Sequence, residues 1–294
     1  MSTITYSLGI SPCPNDTFIF DALINRRISA PFAVTAHLSD VEELNTLACR
    51  GVLDITKLSL AAALRVLDRY LLLGSGAALG RGCGPLVVAR PGLAPEDYST
   101  ARIATPGRLT TANLLLSLSG RFHGPRTEMP FDQVVPILLA EQADLGVIIH
   151  EGRFTYAEKG LKLELDLGDW WEKHTGLPLP LGVIAVRRDL GKGAALEVQK
   201  AIQRSLKYAY AAPEDSTAFI RAHAQEMNEA VIAAHIATFV NDFSLDLGDE
   251  GRNAVVALLH AAQKERAASD CLGHLSDPAA PEFPLTARDV FAPL

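Results

Sequence analysis

The sequence predicts an α/β protein of two lobes with a ligand cleft between them. Three observations predict it. Short apolar strands alternate with helical stretches from the start of the chain, the order that builds a sheet with helices on both faces. A second unit of the same kind, residues 93–181, interrupts the first, with crossings near Pro91 and Pro180. The 294 residues leave room for two units at roughly 100–200 residues each. Residues 1–92 and 182–294 are therefore expected to form a large, discontinuous lobe and residues 93–181 a smaller one. Two crossings make a hinge, and clefts between lobes are common ligand sites.

Residues 3–9 (TITYSLG) read as the first strand. Pro12 and Pro14 cannot continue a central strand, so the chain turns there. Asn15 and Asp16 read as caps of a helix over 17–25, or as groups that orient a ligand. That turn lies at the carboxyl end of a strand, where open α/β sheets bind ligands. Strands follow at 32–38, 54–59 and 70–75, with helices at 41–50 and 60–69. Gly80-Arg81-Gly82-Cys83-Gly84 reads as a tight loop presenting a guanidinium. It is not GxGxxG and it precedes a strand (85–90), which argues against a dinucleotide site.

The second unit reads as strands at 102–105, 129–131, 144–149 and 160–167, with helices opening at Thr110-Thr111 and over 131–142. An extended crossing at 176–181 leads into a strand over 182–187. Beyond Gly193 apolar residues recur at helical spacing over 194–212, 216–225, 228–243 and 249–268. The Pro-rich tail after Ser269 reads as a surface strap.

Composition narrows the function. The chain is 48% hydrophobic and 21% charged, which suits a packed core rather than disorder. A net charge of −7 without a basic run argues against nucleic acid as a partner. No stretch approaches ~18 continuous apolar residues, so no membrane partner is expected. Cys13, Cys49, Cys83 and Cys271 form no CxxC pair, and neither a metal nor a redox motif is expected. The opening residues resemble no export signal, and a cytoplasmic location with reduced thiols is the expectation.

His150 is the leading candidate for chemistry. It closes an apolar strand, and imidazole titrates near neutral pH, so it can act as base or acid. The bland alternative is a strand-end histidine satisfied by a backbone carbonyl. Lys57 and Ser59 end another strand, and Lys57 is either an anion partner or a surface lysine. Arg81 is either a bidentate carboxylate partner or an exposed loop residue. Thr110 and Thr111 either cap their helix or offer hydroxyl and N–H donors to a carboxylate. Trp170-Trp171 reads as packing more readily than as a stacking platform. His223, His235 and His260 fall in helical stretches and read as surface or packing residues.

Several segments together resemble one family. They are SPCPNDTF (11–18), TKLS (56–59), GRGCGP (80–85), IIHEGRFT (148–155), GLPLPLG (176–182) and VNDFSLD (240–246). The chain resembles the 1,4-dihydroxy-6-naphthoate synthases of the futalosine route to menaquinone over nearly its whole length. The resemblance implies a type II periplasmic-binding-protein-like fold used as an enzyme. It implies a carbon–carbon lyase that converts cyclic dehypoxanthine futalosine to 1,4-dihydroxy-6-naphthoate, with no metal or organic cofactor. It implies His150 as the base, and substrate contacts at Asn45, Lys57, Leu58, Ser59, Arg81, Thr110, Thr111 and Ile149. The partner expected is a small anionic molecule bearing a carboxylate. Two other readings remain open: a solute-binding protein of the same fold, and a chorismate dehydratase-like lyase of the same pathway. Oligomeric state is not legible.

Overall fold

In the computed structural model, residues 3–93, 98–225, 228–271 and 285–292 are described, with side chains to Glu265 in the long helix that ends at Cys271. Strand β1 (Ile4–Ile10) ends just before Ser11, and helix α1 (Pro14–Ile24) begins three residues before the sequence expectation. Pro14 sits in the first turn, where its missing N–H costs no helical bond and its fixed φ suits the helix. Cys13 is therefore the flanking residue. Asn15 and Asp16 lie inside the first turn and are buried, so neither is the cap.

The chain continues through β2 (Phe32–Leu38), α2 (Val41–Cys49), β3 (Ile55–Ser59), α3 (Leu60–Ala63), β4 (Tyr70–Leu72) and β5 (Ala78–Gly80). Then follow β6 (Leu86–Ala89), β7 (Ile103–Thr105), α4 (Thr111–Leu118), β8 (Arg126–Glu128), α5 (Val134–Leu139), β9 (Leu145–Ile148), α6 (Gly152–Thr155), β10 (Lys162–Asp166) and α7 (Leu167–Thr175). Strand β11 (Leu179–Arg187) leads into α8 (Gly191–Ala211), α9 (Thr217–His223), α10 (Glu229–Phe239), α11 (Asp242–Leu245), α12 (Gly248–Cys271) and α13 (Ala287–Val290).

Two sheets result. The first runs β2-β1-β3-β11-β4, with β5 paired to the start of β11. Its β1 is parallel to β2 and β3, and β11 is antiparallel to its neighbours. The second runs β10-β6-β9-β7-β8. Strand β6 pairs with β9 and β10 in this second sheet, although the sequence reading placed it in the large lobe. The chain thus changes sheet between Gly80 and Leu86, ahead of the expected boundary at 92. Pro91-Gly92 marks only the end of β6. The glycine loop makes the crossing: a Cβ on Gly84 would lie 2.2 Å from the backbone N of Gly168, so only glycine lets this loop meet the start of α7.

Helix α7 was absent from the sequence reading. Asp166 caps it by accepting from the N–H groups of Gly168 and Asp169, and Gly176 at φ 73° ends it. One apolar cluster joins both sheets. It contains Leu58, Leu72 and Val183 from the first sheet, Val87 and Leu145 from the second, and Leu115 and Leu258 from covering helices. A second cluster packs α1 and α8 against the first sheet through Phe20, Ile184, Ile202 and Leu206. Most of the predicted strap lies outside the described residues. Its described end returns to the first sheet, where the Ala292 N–H donates to the Leu72 carbonyl at 2.9 Å. Among the described residues no helix is long and apolar enough to cross a membrane.

Candidate active site

Three strand ends and one helix start converge on an open cleft of about 700 Å³, part of it solvent at the mouth. Ser11 comes from the end of β1, Lys57 and Ser59 from β3, Ile149 and His150 from β9, and Thr110 and Thr111 from the start of α4. Strand alternation puts Lys57 and Ser59 on the cleft face and turns Leu58 to the opposite face, into the shared apolar core. Leu58 was expected to touch ligand, and its side chain is not in the lining.

The expected anion partner Lys57 already has one. Its Nζ lies 2.8 Å from Asp16 Oδ1, with the two side chains 6% and 0% exposed. The other oxygen of Asp16 accepts from the Ser11 N–H and hydroxyl at 3.0 and 2.8 Å. Asn15 Nδ2 donates to Asp16 Oδ1 at 2.8 Å. A carboxylate paired with a lysine can only accept, so the amide NH2 of Asn15 must face Asp16. The Asn15 carbonyl then faces His235 Nε2 at 3.0 Å, and that nitrogen must carry the proton.

His235 corrects the sequence reading. It is 1% exposed, lines the cleft from α10 and stacks on His150 with ring centroids 6.0 Å apart and planes 17° from parallel. Its Nδ1 makes no hydrogen bond and lies 3.8 Å from Glu151 Oε2. Burial, then the neighbouring His150 and Lys57, hold its pKa well below the ordinary range. Helical periodicity carried no signal that this histidine faces a ligand site.

His150 occupies the left-handed backbone region at φ 54°, which costs a non-glycine residue roughly 1–2 kcal/mol. Such strain at a cleft is characteristic of functional positions. The turn aims the ring between Phe131, at 4.7 Å, and His235. His150 Nδ1 lies 3.0 Å from Cys13 Sγ. Burial lowers the His150 pKa to about 4; Asp16 pulls it up and Lys57 pushes it down. The ring is therefore neutral near pH 7 and can accept a proton. Burial, reinforced by the charge of Glu151, raises the Cys13 pKa well above its usual value and keeps the thiol protonated.

The remaining expectations divide. Thr110 caps α4, accepting from the Asn113 N–H at 3.2 Å, and Thr111 donates to the Leu181 carbonyl at 2.6 Å; both line the cleft. Asn45 stands behind the wall, accepting from the Ser59 N–H at 2.9 Å and donating to the Ser59 hydroxyl at 3.1 Å. Arg81 lies outside the lining, where its exposed guanidinium meets Glu250 at 2.9 Å, Glu172 at 3.9 Å and the Gly176 carbonyl at 3.1 Å. The sequence reading missed Arg153, which lines the cleft while bound to Asp166 and the Gly84 carbonyl. Trp171 is buried and donates to the Pro178 carbonyl at 3.2 Å, a packing role. Among the described residues no group of three or more His, Cys, Asp or Glu side chains is placed to hold a metal.

A family model described as menaquinone biosynthesis matches residues 6–264. A 1,4-dihydroxy-6-naphthoate synthase of Thermus thermophilus is 51% identical over 256 residues, covering 87% of this chain and 93% of that protein. One from Streptomyces coelicolor is 42% identical over 270 residues, 90% and 95% of the two chains. The chain belongs to this family of menaquinone-biosynthesis enzymes. The 1,4-dihydroxy-6-naphthoate synthase family shares its fold with other solved structures. A protein from Archaeoglobus fulgidus is 32% identical with a TM-score of 0.82, covering 91% of this chain and 98% of its own. The alkanesulfonate-binding protein of Xanthomonas axonopodis pv. citri, bound to MOPS, is 14% identical with a TM-score of 0.67 over 90% and 94%. A Candida albicans gene product described as having the generic periplasmic binding protein fold is 12% identical with a TM-score of 0.61 over 94% and 93%. These last two likenesses support the expected fold class, a two-lobed periplasmic-binding-protein-like architecture.

Proposed function

We propose that the cleft binds cyclic dehypoxanthine futalosine and that His150 is the general base in its conversion to 1,4-dihydroxy-6-naphthoate. The observation that carries this reading is the His150 imidazole: neutral at working pH, facing the cleft, and gripped on Nδ1 by Cys13 so that Nε2 is left for the ligand. The base takes one proton from the substrate. The electrons released break a carbon–carbon bond to the sugar-derived fragment, and the gain of an aromatic product drives the step forward. Burial favours the neutral, proton-accepting form.

The substrate carboxylate is read as held by neutral donors. Both cations in the lining are already engaged, Lys57 by Asp16 and Arg153 by Asp166. The Ser59 hydroxyl and the Thr111 and Ala112 N–H groups at the start of α4 remain, since the Thr111 hydroxyl already donates to Leu181, and a helix N-terminus suits an anion. This replaces Lys57 and Arg81 as the expected carboxylate partners. The reading puts the reaction in the cytoplasm, a reducing compartment that suits the unpaired thiols of Cys13 and Cys83. The test is incubation of the purified protein with cyclic dehypoxanthine futalosine, following the naphthoate by absorbance and mass. Product formation supports the reading; binding without product moves it to a binding protein.

A further inference from the structure

We propose that Cys13 is a positioning residue for the base, reaching from the first lobe to seize Nδ1 of His150 on the second and so presenting Nε2 to the ligand. This rests on the reading of His150 as the base.

The two residues are 137 positions apart and follow strands of different sheets, β1 and β9, yet Sγ and Nδ1 lie 3.0 Å apart. Neither end of the contact is loose. The Cys13 carbonyl accepts from the Thr17 N–H at 3.1 Å and the Thr17 hydroxyl at 3.0 Å, which fixes the backbone that carries the thiol. The His150 ring is confined in a slot between Phe131 and His235. Within that slot the ring has two settings related by a half-turn. One puts Nδ1 against the thiol; the other puts a ring C–H there and turns Nδ1 away. Only the first makes a hydrogen bond, so the thiol selects it.

A neutral thiol suits the task because it both donates and accepts weakly. In the proton-accepting tautomer Nδ1–H donates to Sγ and the Nε2 lone pair is free. When the substrate proton arrives on Nε2, the imidazolium keeps the same Nδ1–H···Sγ contact. No proton leaves Cys13, and no bond to sulfur forms. The groups facing the pair are Asp16 and Asn15 from α1, Lys57 from β3, Asp40 before α2, Glu151 after β9 and His235 from α10. Among these, Asp16 and Glu151 can balance the imidazolium charge. Because thiol and imidazole sit on opposite lobes, the base takes its setting only when the lobes meet.

The experiment uses the full chain as wild type, Cys13→Ala and Cys13→Ser, with melting curves to confirm folding. Each is assayed from pH 4 to 8 on cyclic dehypoxanthine futalosine. Each is also labelled with ring-15N histidine and observed with 1,4-dihydroxy-6-naphthoate bound; His150→Asn assigns the signal. Cys13→Ala is expected to lower kcat by roughly ten- to hundredfold with KM changed far less, and to move the acid limb of the profile. Cys13→Ser restores most of kcat, since a hydroxyl can hold Nδ1. The wild-type His150 signal reports one tautomer with Nδ1 protonated, and Cys13→Ala reports a mixture. A kcat for Cys13→Ala equal to wild type, or a His150 signal identical in the two proteins, overturns the proposal. Should Cys13→Ala fail to fold, the wild-type signal carries the test, and a His150 protonated on Nε2 rather than Nδ1 overturns the proposal. If the wild type makes no naphthoate, the reading of the base fails, while the ring signal still decides the Cys13 contact by itself.

Discussion

Lys57, in the cleft lining, meets Asp16 at 2.8 Å, and Asp16 in turn holds Ser11 and orients Asn15 toward His235. One buried ion pair therefore sets the geometry of two cleft walls. Removing either partner leaves an uncompensated buried charge. Lys57→Met is expected to destabilise the fold by about 3–5 kcal/mol. Chemical denaturation measures it, and a loss below about 1 kcal/mol, typical of exposed pairs, would contradict this description of the pair.

Arg81 gives the opposite expectation. Its side chain is 48% exposed and bound to Glu250 and Glu172 outside the cleft. Arg81→Ala should leave KM for the substrate within about twofold and cost no more than about 1 kcal/mol of stability. A large rise in KM would return Arg81 to the list of ligand contacts.

Glu42, on α2 in the first lobe, accepts from the Leu109 N–H with both oxygens, at 2.9 and 3.1 Å, just before α4 of the second lobe. Burial raises the Glu42 pKa, a cost that this hydrogen bond offsets. Glu42→Ala removes a charge-assisted bond between the lobes, and kcat/KM should fall roughly tenfold. Steady-state kinetics decide it; unchanged kcat/KM would mean the contact does not hold the lobes in their working arrangement.

His150 also links stability to pH. Its folded pKa is lowered from 6.5 to about 4, so between these values the unfolded chain binds the proton that the folded protein excludes. Stability therefore falls as pH drops from 6.5 toward 4, by at most about 3 kcal/mol from this group. His235, lowered for the same reason, adds a loss of the same sign. Denaturation curves from pH 7 to 4 should show this slope in wild type and a shallower one in His150→Asn. Equal slopes would remove His150 as its source.

The sequence exposed what local rules encode. His150 was legible because an apolar run ends on it, and Thr110 because it stands where a helix must be capped. The order of strands and helices carried the two-lobed architecture. What escaped depended on partners far along the chain. Arg81 could not be placed without Glu172 and Glu250, which lie on α7 and α12. His235 looked like one of several helical histidines until α10 was packed against the cleft. Helix α7 was hidden because Gly168 and Asp169 are weak helix formers, whereas they form a first turn capped by Asp166. The short strand expected at 129–131 forms three residues earlier, at Arg126–Glu128, where it pairs with β7 and no apolar alternation marks it.

The most direct test of the account is a single-turnover comparison of wild type and His150→Asn with cyclic dehypoxanthine futalosine, paired with a binding measurement on the same two proteins. The account predicts 1,4-dihydroxy-6-naphthoate from wild type, a rate lower by on the order of 10²–10⁴ in His150→Asn, and similar affinity in both. Equal rates of product formation in the two proteins would contradict it.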